Sequence, residues 1–98
     1  MHEIRKTPQF DDWLNGIRNS LTVKRLAKRL RKVALGSLGD VSPISDGVWE
    51  MREHFGSGWR MYYILHEKVI IVMLGGGCKA TQAADIKEAK KIARSLED

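Results

Sequence analysis

The side chains in this sequence best suited to chemistry are Arg52, His54, Arg60, Tyr62 and Lys79. Four of them lie in "WEMREHFGSGWRMYYILH" (49–66), which reads as two short strands around the turn "GSG". Side chains alternate along a strand. On the first strand Trp49, Met51 and Phe55 share one phase, and Glu50, Arg52 and His54 share the other. On the second, Trp59, Met61, Tyr63 and Leu65 oppose Arg60, Tyr62 and His66. If the apolar sets face a core, Arg52, His54, Arg60 and Tyr62 lie together on the opposite face. Glu53 falls in the core phase and Ile64 in the open phase. A bulge near the turn would account for Glu53. Lys79 follows "GGGC", within reach of the same face. Glycines there let backbone approach a ligand or bend sharply. Arginine grips phosphate through two donors at once, and tyrosine can stack on a splayed base. Histidine ordinarily titrates where proton transfer at neutral pH needs it. This combination suits RNA.

Each of these residues also has a plainer reading. An arginine on an exposed strand face is most often only solvated, and His54 and His66 read as surface residues. Trp13, Trp49 and Trp59 read as core or partner contacts. His2, His54 and His66 lack metal-ligand spacing, and the single Cys78 builds no zinc site, so neither a metal nor a cofactor is expected. The glycine run matches neither a P-loop nor a dinucleotide fingerprint.

The elements that must position these residues follow from patterning. "HEIRK" (2–6) is a candidate strand. In "TPQFDDWLNGIRN", Thr7 can cap a helix with Pro8 in its first turn, and Phe10, Trp13, Leu14 and Ile17 form one face. Gly16 weakens this helix, which should end near residue 19. "LTVKRLAKRLRKVALG" predicts a second helix, with Thr22 as cap, a stripe of Val23, Leu26, Ala27, Leu30, Val33 and Ala34, and Gly36 as stop. The two helices should form a hairpin. Residues 36–47, "GSLGDVSPISDG", read as a loop. Strands follow at 48–55, 59–66 and 68–76, the last apolar on both faces and therefore interior. Residues 81–97 should form a final helix, with Thr81 as cap. The order is β-α-α-β-β-β-α, an α+β fold. The expected arrangement puts all helices on one face of a mostly antiparallel sheet and leaves the other face open.

With 98 residues the chain makes one domain, 1–98, and its 43% apolar content favours a folded one. No stretch approaches the roughly 18 apolar residues of a membrane span, and one cysteine suits a reducing compartment, so a cytoplasmic location is expected. Net charge is +5 with a pI near 9.6. It is unevenly spread: residues 1–35 hold nine basic against three acidic side chains, and 36–67 two against five. Lys24, Arg25, Lys28, Arg29, Arg31 and Lys32 crowd the second helix. Such a run is often a solvated face, and otherwise points to a polyanion or an acidic protein.

Two stretches resemble the RelE/ParE toxin superfamily, and within it the HigB-like addiction-module killer proteins. They are "E-x-R-x-x-F-G-x-G-x-R-x-Y-Y" at 50–63 and "G-G-x-K-x-T-Q-x-x-D-I" at 76–86. The resemblance runs from "FDDWL" to the final helix. It implies a RelE-like sheet and the toxin of a bacterial type II toxin–antitoxin system. The partner would be a cognate antitoxin in a hetero-oligomer. RelE-like members cut mRNA in the ribosomal A site. By position, Arg60 matches the family's central-strand arginine, Arg52 the basic residue on the preceding strand, and Lys79 the basic residue after the last core strand. Cys78 stands where an acidic residue is common, and 81–97 holds no tyrosine, which leaves Tyr62 as the tyrosine to consider. The implied activity is a metal-independent, ribosome-dependent endoribonuclease, with the basic second helix on ribosomal RNA. The alternative is a ParE-like toxin that inhibits DNA gyrase by binding.

Overall fold

The computed structural model of the chain describes residues 1–97. The elements are β1 (Glu3–Lys6), α1 (Pro8–Asn15), α2 (Ser20–Ala34), β2 (Val41–Ser45), β3 (Val48–Arg52), β4 (Trp59–His66), β5 (Ile70–Cys78), a single 3₁₀ turn (Lys79–Thr81) and α3 (Gln82–Ser95). The five strands form one sheet in the order β1-β5-β4-β3-β2. Only the β1–β5 pair is parallel. The mixed α+β class and the interior placement of β5 agree with the sequence reading.

Two features differ from it. Residues 41–45 are a strand rather than loop. "VSPIS" is an edge strand, where Pro43 removes no hydrogen bond that an inner ladder would need. The second difference matters more: the helices do not share one face. α1 and α2 bury Phe10, Leu14, Leu26, Leu30 and Val33 against Met51, Met61, Tyr63, Ile71 and Met73. α3 covers the opposite face, where Ala89, Ile92 and Ala93 pack on Val48, Tyr62 and Leu74, with Ile64, Val72 and Ile86 at the margin. Ile64, the misfit in the expected open phase, belongs to this second core. Its apolar neighbours there demanded a cover, and α3 supplies it.

The caps show local sequence logic at work. Thr7 accepts from the Phe10 N–H as expected, and its hydroxyl donates to the Met73 carbonyl, tying α1 to β5. α1 stops at Asn15, sooner than expected, at Gly16. The cap of α2 is Asn19, not Thr22, whose N–H donates to the Asn19 side chain. Thr22 is buried one turn in.

The glycine run has a packing reason. β5 carries a bulge at Leu74, between Met73, which faces Tyr63, and Gly75, which faces Tyr62. Beyond it, a Cβ on Gly76 would stand 2.5 Å from the Trp13 ring and 2.7 Å from the Arg60 carbonyl. A Cβ on Gly77 would overlap an Asp85 carboxylate oxygen. These two glycines seat Trp13 on one face and the start of α3 on the other.

Candidate functional site

Arg52 and Arg60 are directly opposed across β3 and β4, on the α3 side of the sheet. α3 begins at Gln82, over Gly77, and runs away from this end, so the open part of that face shrinks to the rim beside Arg52. Like charges facing each other across a ladder are unfavourable. Each arginine is accordingly offset by its own carboxylate. Arg52 Nη2 donates to Asp40 Oδ1 at 2.8 Å. Arg60 Nε lies 3.8 Å from Glu50 Oε1. Glu50 is 2% exposed, and Gln82 Nε2 donates to its other oxygen at 2.7 Å.

The two arginines are left in different states. Arg52 is half-exposed and pairs with Asp40, which raises its pKa further, and its Nε has no hydrogen-bond partner among the described residues. Arg60 is 9% exposed, yet its Nε has no hydrogen-bond partner among the described residues, and Nη1 makes one long contact of 3.4 Å to the Trp59 carbonyl. Arg60 lines an open cleft of about 320 Å³ together with His54, Glu53, Ser57 and Lys79. The turn glycines shape this cleft. Gly58, at φ +78°, would put a Cβ 3.3 Å from that of Lys79, so its bare backbone lets the 3₁₀ turn close on the β3–β4 turn. The Lys79 N–H reaches the Ser57 carbonyl there.

Asp40 is the residue that sequence reasoning missed. It precedes β2, in a stretch read as loop, and nothing in its spacing points across to β3. Its Oδ2 lies 2.6 Å from His54 Nε2 while its Oδ1 holds Arg52. The Arg52 guanidinium and then His54 hold its carboxyl at about 2, below the ordinary carboxylate range. Asp40 is therefore ionised at neutral pH and only accepts, so His54 Nε2 carries the proton and donates. In the neutral ring the lone pair then sits on Nδ1, free for a substrate.

Tyr62 does not lie on an open face. It is 0% exposed beneath α3, and its hydroxyl has no hydrogen-bond partner among the described residues. Burial, and then the Glu50 carboxylate, push its pKa well above the usual phenol value. Its strand phase matches that of Arg60, but the helix cover removes it from the cleft. Of the five candidates, His54, Arg60 and Lys79 line one cleft, Arg52 stands behind His54 through Asp40, and Tyr62 belongs to the core.

The basic helix divides in the same way. Arg29 is buried at 8% exposure and does not present a cation to solvent. Its guanidinium donates to the Leu38, Asp40 and Arg52 carbonyls and, at 2.6 Å, to Glu53 Oε2. Glu53 sits in the core phase because Arg29 is its partner, and β3 ends one residue earlier, at Arg52. Arg25, Lys28 and Lys32 line a groove with Phe55, while Arg31 faces a different one beside Lys6. Lys24 is exposed. Cys78 borders the 3₁₀ turn, where the Thr81 hydroxyl and the Ala80 and Thr81 backbone lower its thiol pKa. Among the described residues no three His, Cys, Asp or Glu side chains converge as a metal site requires. No helix there is long and apolar enough to cross a membrane.

Residues 15–97 match the family described as phage derived protein Gp49-like (DUF891). An uncharacterized protein of Haemophilus influenzae (strain Rd) is 35% identical over 94 residues, covering 96% of this chain and 95% of that protein. The family match takes in every residue that lines the cleft, from Glu53 to Lys79.

Proposed function

This chain belongs to the phage-derived Gp49-like family, a toxin-like family related to the RelE and HigB type, and from that premise we propose that it is the toxin of a type II toxin–antitoxin pair that cuts mRNA on the ribosome. The observation that carries the reading is Arg60: a nearly buried cation with donors unspent, aimed into a cleft that also holds His54 and Lys79.

RNA can be cut by its own 2′-OH, which attacks the adjacent phosphorus as the 5′-oxygen leaves. This route needs no metal ion. Arg60 holds the phosphate and stabilises the charge that grows on its oxygens, a contribution typically of about 3 kcal/mol. His54 Nδ1 takes the proton of the attacking hydroxyl, and Asp40 keeps the ring in the tautomer that allows it. Lys79 neutralises the leaving oxygen. Arg52 holds Asp40 through its Nη2 and so positions His54 at one remove. His54 is mostly exposed, with 72% of its side chain open to solvent, so on free RNA little fixes the attack geometry. The ribosome supplies that alignment. The antitoxin would present an acidic segment to this basic protein, and the pair would work in the cytoplasm.

The test is purified protein added to a translating extract, with mRNA ends mapped. New ends inside open reading frames are expected, bearing 2′,3′-cyclic phosphates. A substrate with 2′-deoxyribose at the mapped cut should stay whole. Intact mRNA beside stalled gyrase–DNA complexes would replace this reading with the gyrase one.

A further inference from the structure

Beside the cleft lies a second groove, of about 290 Å³, lined by Arg25, Lys28, Lys32, Phe55, Arg29 and Glu53. Arg25, Lys28 and Lys32 fall at i, i+3 and i+7, on one side of α2, and span about 10 Å of helix. None of the three forms an ion pair among the described residues. The groove's one carboxylate, Glu53, is tied to Arg29, so the surface presents uncompensated positive charge. The Arg25 guanidinium stands 4.7 Å over the Phe55 ring, a planar cation on an aromatic face. Glu53 lines both the groove and the cleft, and Phe55 follows His54 in the chain. The groove is therefore the direct continuation of the cleft around the β3–β4 turn.

We propose that this groove is the track for the single-stranded RNA leaving the cleft. Arg25, Lys28 and Lys32 take successive phosphates, and the Arg25–Phe55 pair is the platform on which one base stacks. This inference rests on the nuclease reading for the identity of the strand. The features that favour RNA over an acidic protein segment are the planar platform and the continuity with the cleft that holds Arg60, His54 and Lys79. Base stacking on such platforms tolerates any sequence, so the groove adds affinity and register without choosing the base. It also splits the charge of α2 by function. Arg29 is structural, Arg31 and Lys24 lie off the track, and three cations remain for the strand.

The test compares two fluorescent RNA oligonucleotides, of three and seven nucleotides, with 2′-deoxyribose throughout the cleft-binding part so that neither is cut. The wild-type protein should bind the longer one at least tenfold more tightly at low salt. Arg25→Ala/Lys28→Ala/Lys32→Ala should lose that gain, and its log K against log salt slope should fall by about 2. Phe55→Ala should lose part of the gain with no change in slope. Arg60→Ala should weaken both oligonucleotides and keep the gain. A length gain that survives in the triple variant would overturn the track, as would a groove that takes an acidic peptide in preference to the RNA. Intact mRNA in the translating extract, with the length gain present, would sink the nuclease reading and leave the track standing.

Discussion

Two arginines of this protein are buried almost equally, Arg29 at 8% and Arg60 at 9% exposure, and their surroundings differ completely. Arg29 spends its guanidinium on three carbonyls and the Glu53 carboxylate. Arg60 has a Nε without partner among the described residues, a long contact to one carbonyl and a carboxylate at 3.8 Å. Desolvating a cation is costly, and hydrogen bonds are what offset it. Arg29 is satisfied by the fold alone, so it is part of the fold. Arg60 is left short, and a phosphate in the cleft would complete it. Burial alone does not distinguish the two; what sets Arg60 apart, from Arg29 and from the half-exposed Arg52, is near-complete burial combined with unspent donors.

The contrast can be broken from either end. Arg29→Ala strands Glu53 and frees the loop that carries Asp40; a loss of about 3–5 kcal/mol is expected, read as a fall in the urea midpoint. A midpoint within error of wild type would erase the distinction. Asp40→Asn should lower cutting on the order of 10² by releasing the His54 ring, with the fold retained. The same carboxyl gives a pH signature. Its pKa is about 2 in the folded protein against 3.8 ordinarily. Folded below unfolded means that its stabilisation is present above pH 3.8 and is lost as pH falls towards 2. The urea midpoint of the wild type should therefore drop over that window more steeply than that of Asp40→Asn, and parallel curves would refute the pairing. Gly76→Ala drives a Cβ into Trp13 and the Arg60 carbonyl, for a loss of about 2 kcal/mol in thermal or urea unfolding. The smallest change is Tyr62→Phe. Removing a buried hydroxyl without a partner should leave stability equal or about 1 kcal/mol higher, with toxicity unchanged. A non-toxic but well-folded Tyr62→Phe would return the tyrosine to the chemistry.

Much of the architecture was legible in the sequence, because periodicity reports it directly. The stripes of α1 and α2, the Thr7 cap, the "GSG" turn and the two-sided apolar β5 all show in the pattern. The strand phase also placed Arg52 and Arg60 on the same face. What the pattern could not give was the side on which α3 lands, since a helix leaving the end of β5 can turn to either face. The signal was present in Ile64, an apolar residue on a face expected to be bare. Glu53 was a second such signal, an acid in a core phase that required a buried cation, and Arg29 was hidden within a run of six similar charges. β2 was obscured by Pro43 and its flanking turn residues. Asp40 left no trace, because it meets Arg52 and His54 by extending the pairing of β3 with β2, the strand that the pattern did not reveal.

The most direct measurement pairs cutting with folding in Arg60→Ala, using mapped mRNA ends in a translating extract and the melting curve of the same preparation, with Glu50→Gln added in a second variant so that no carboxylate is stranded. The account predicts a cooperative melt in both and a loss of cutting on the order of 10² to 10³. Cutting at the wild-type rate by a folded Arg60→Ala protein would contradict it.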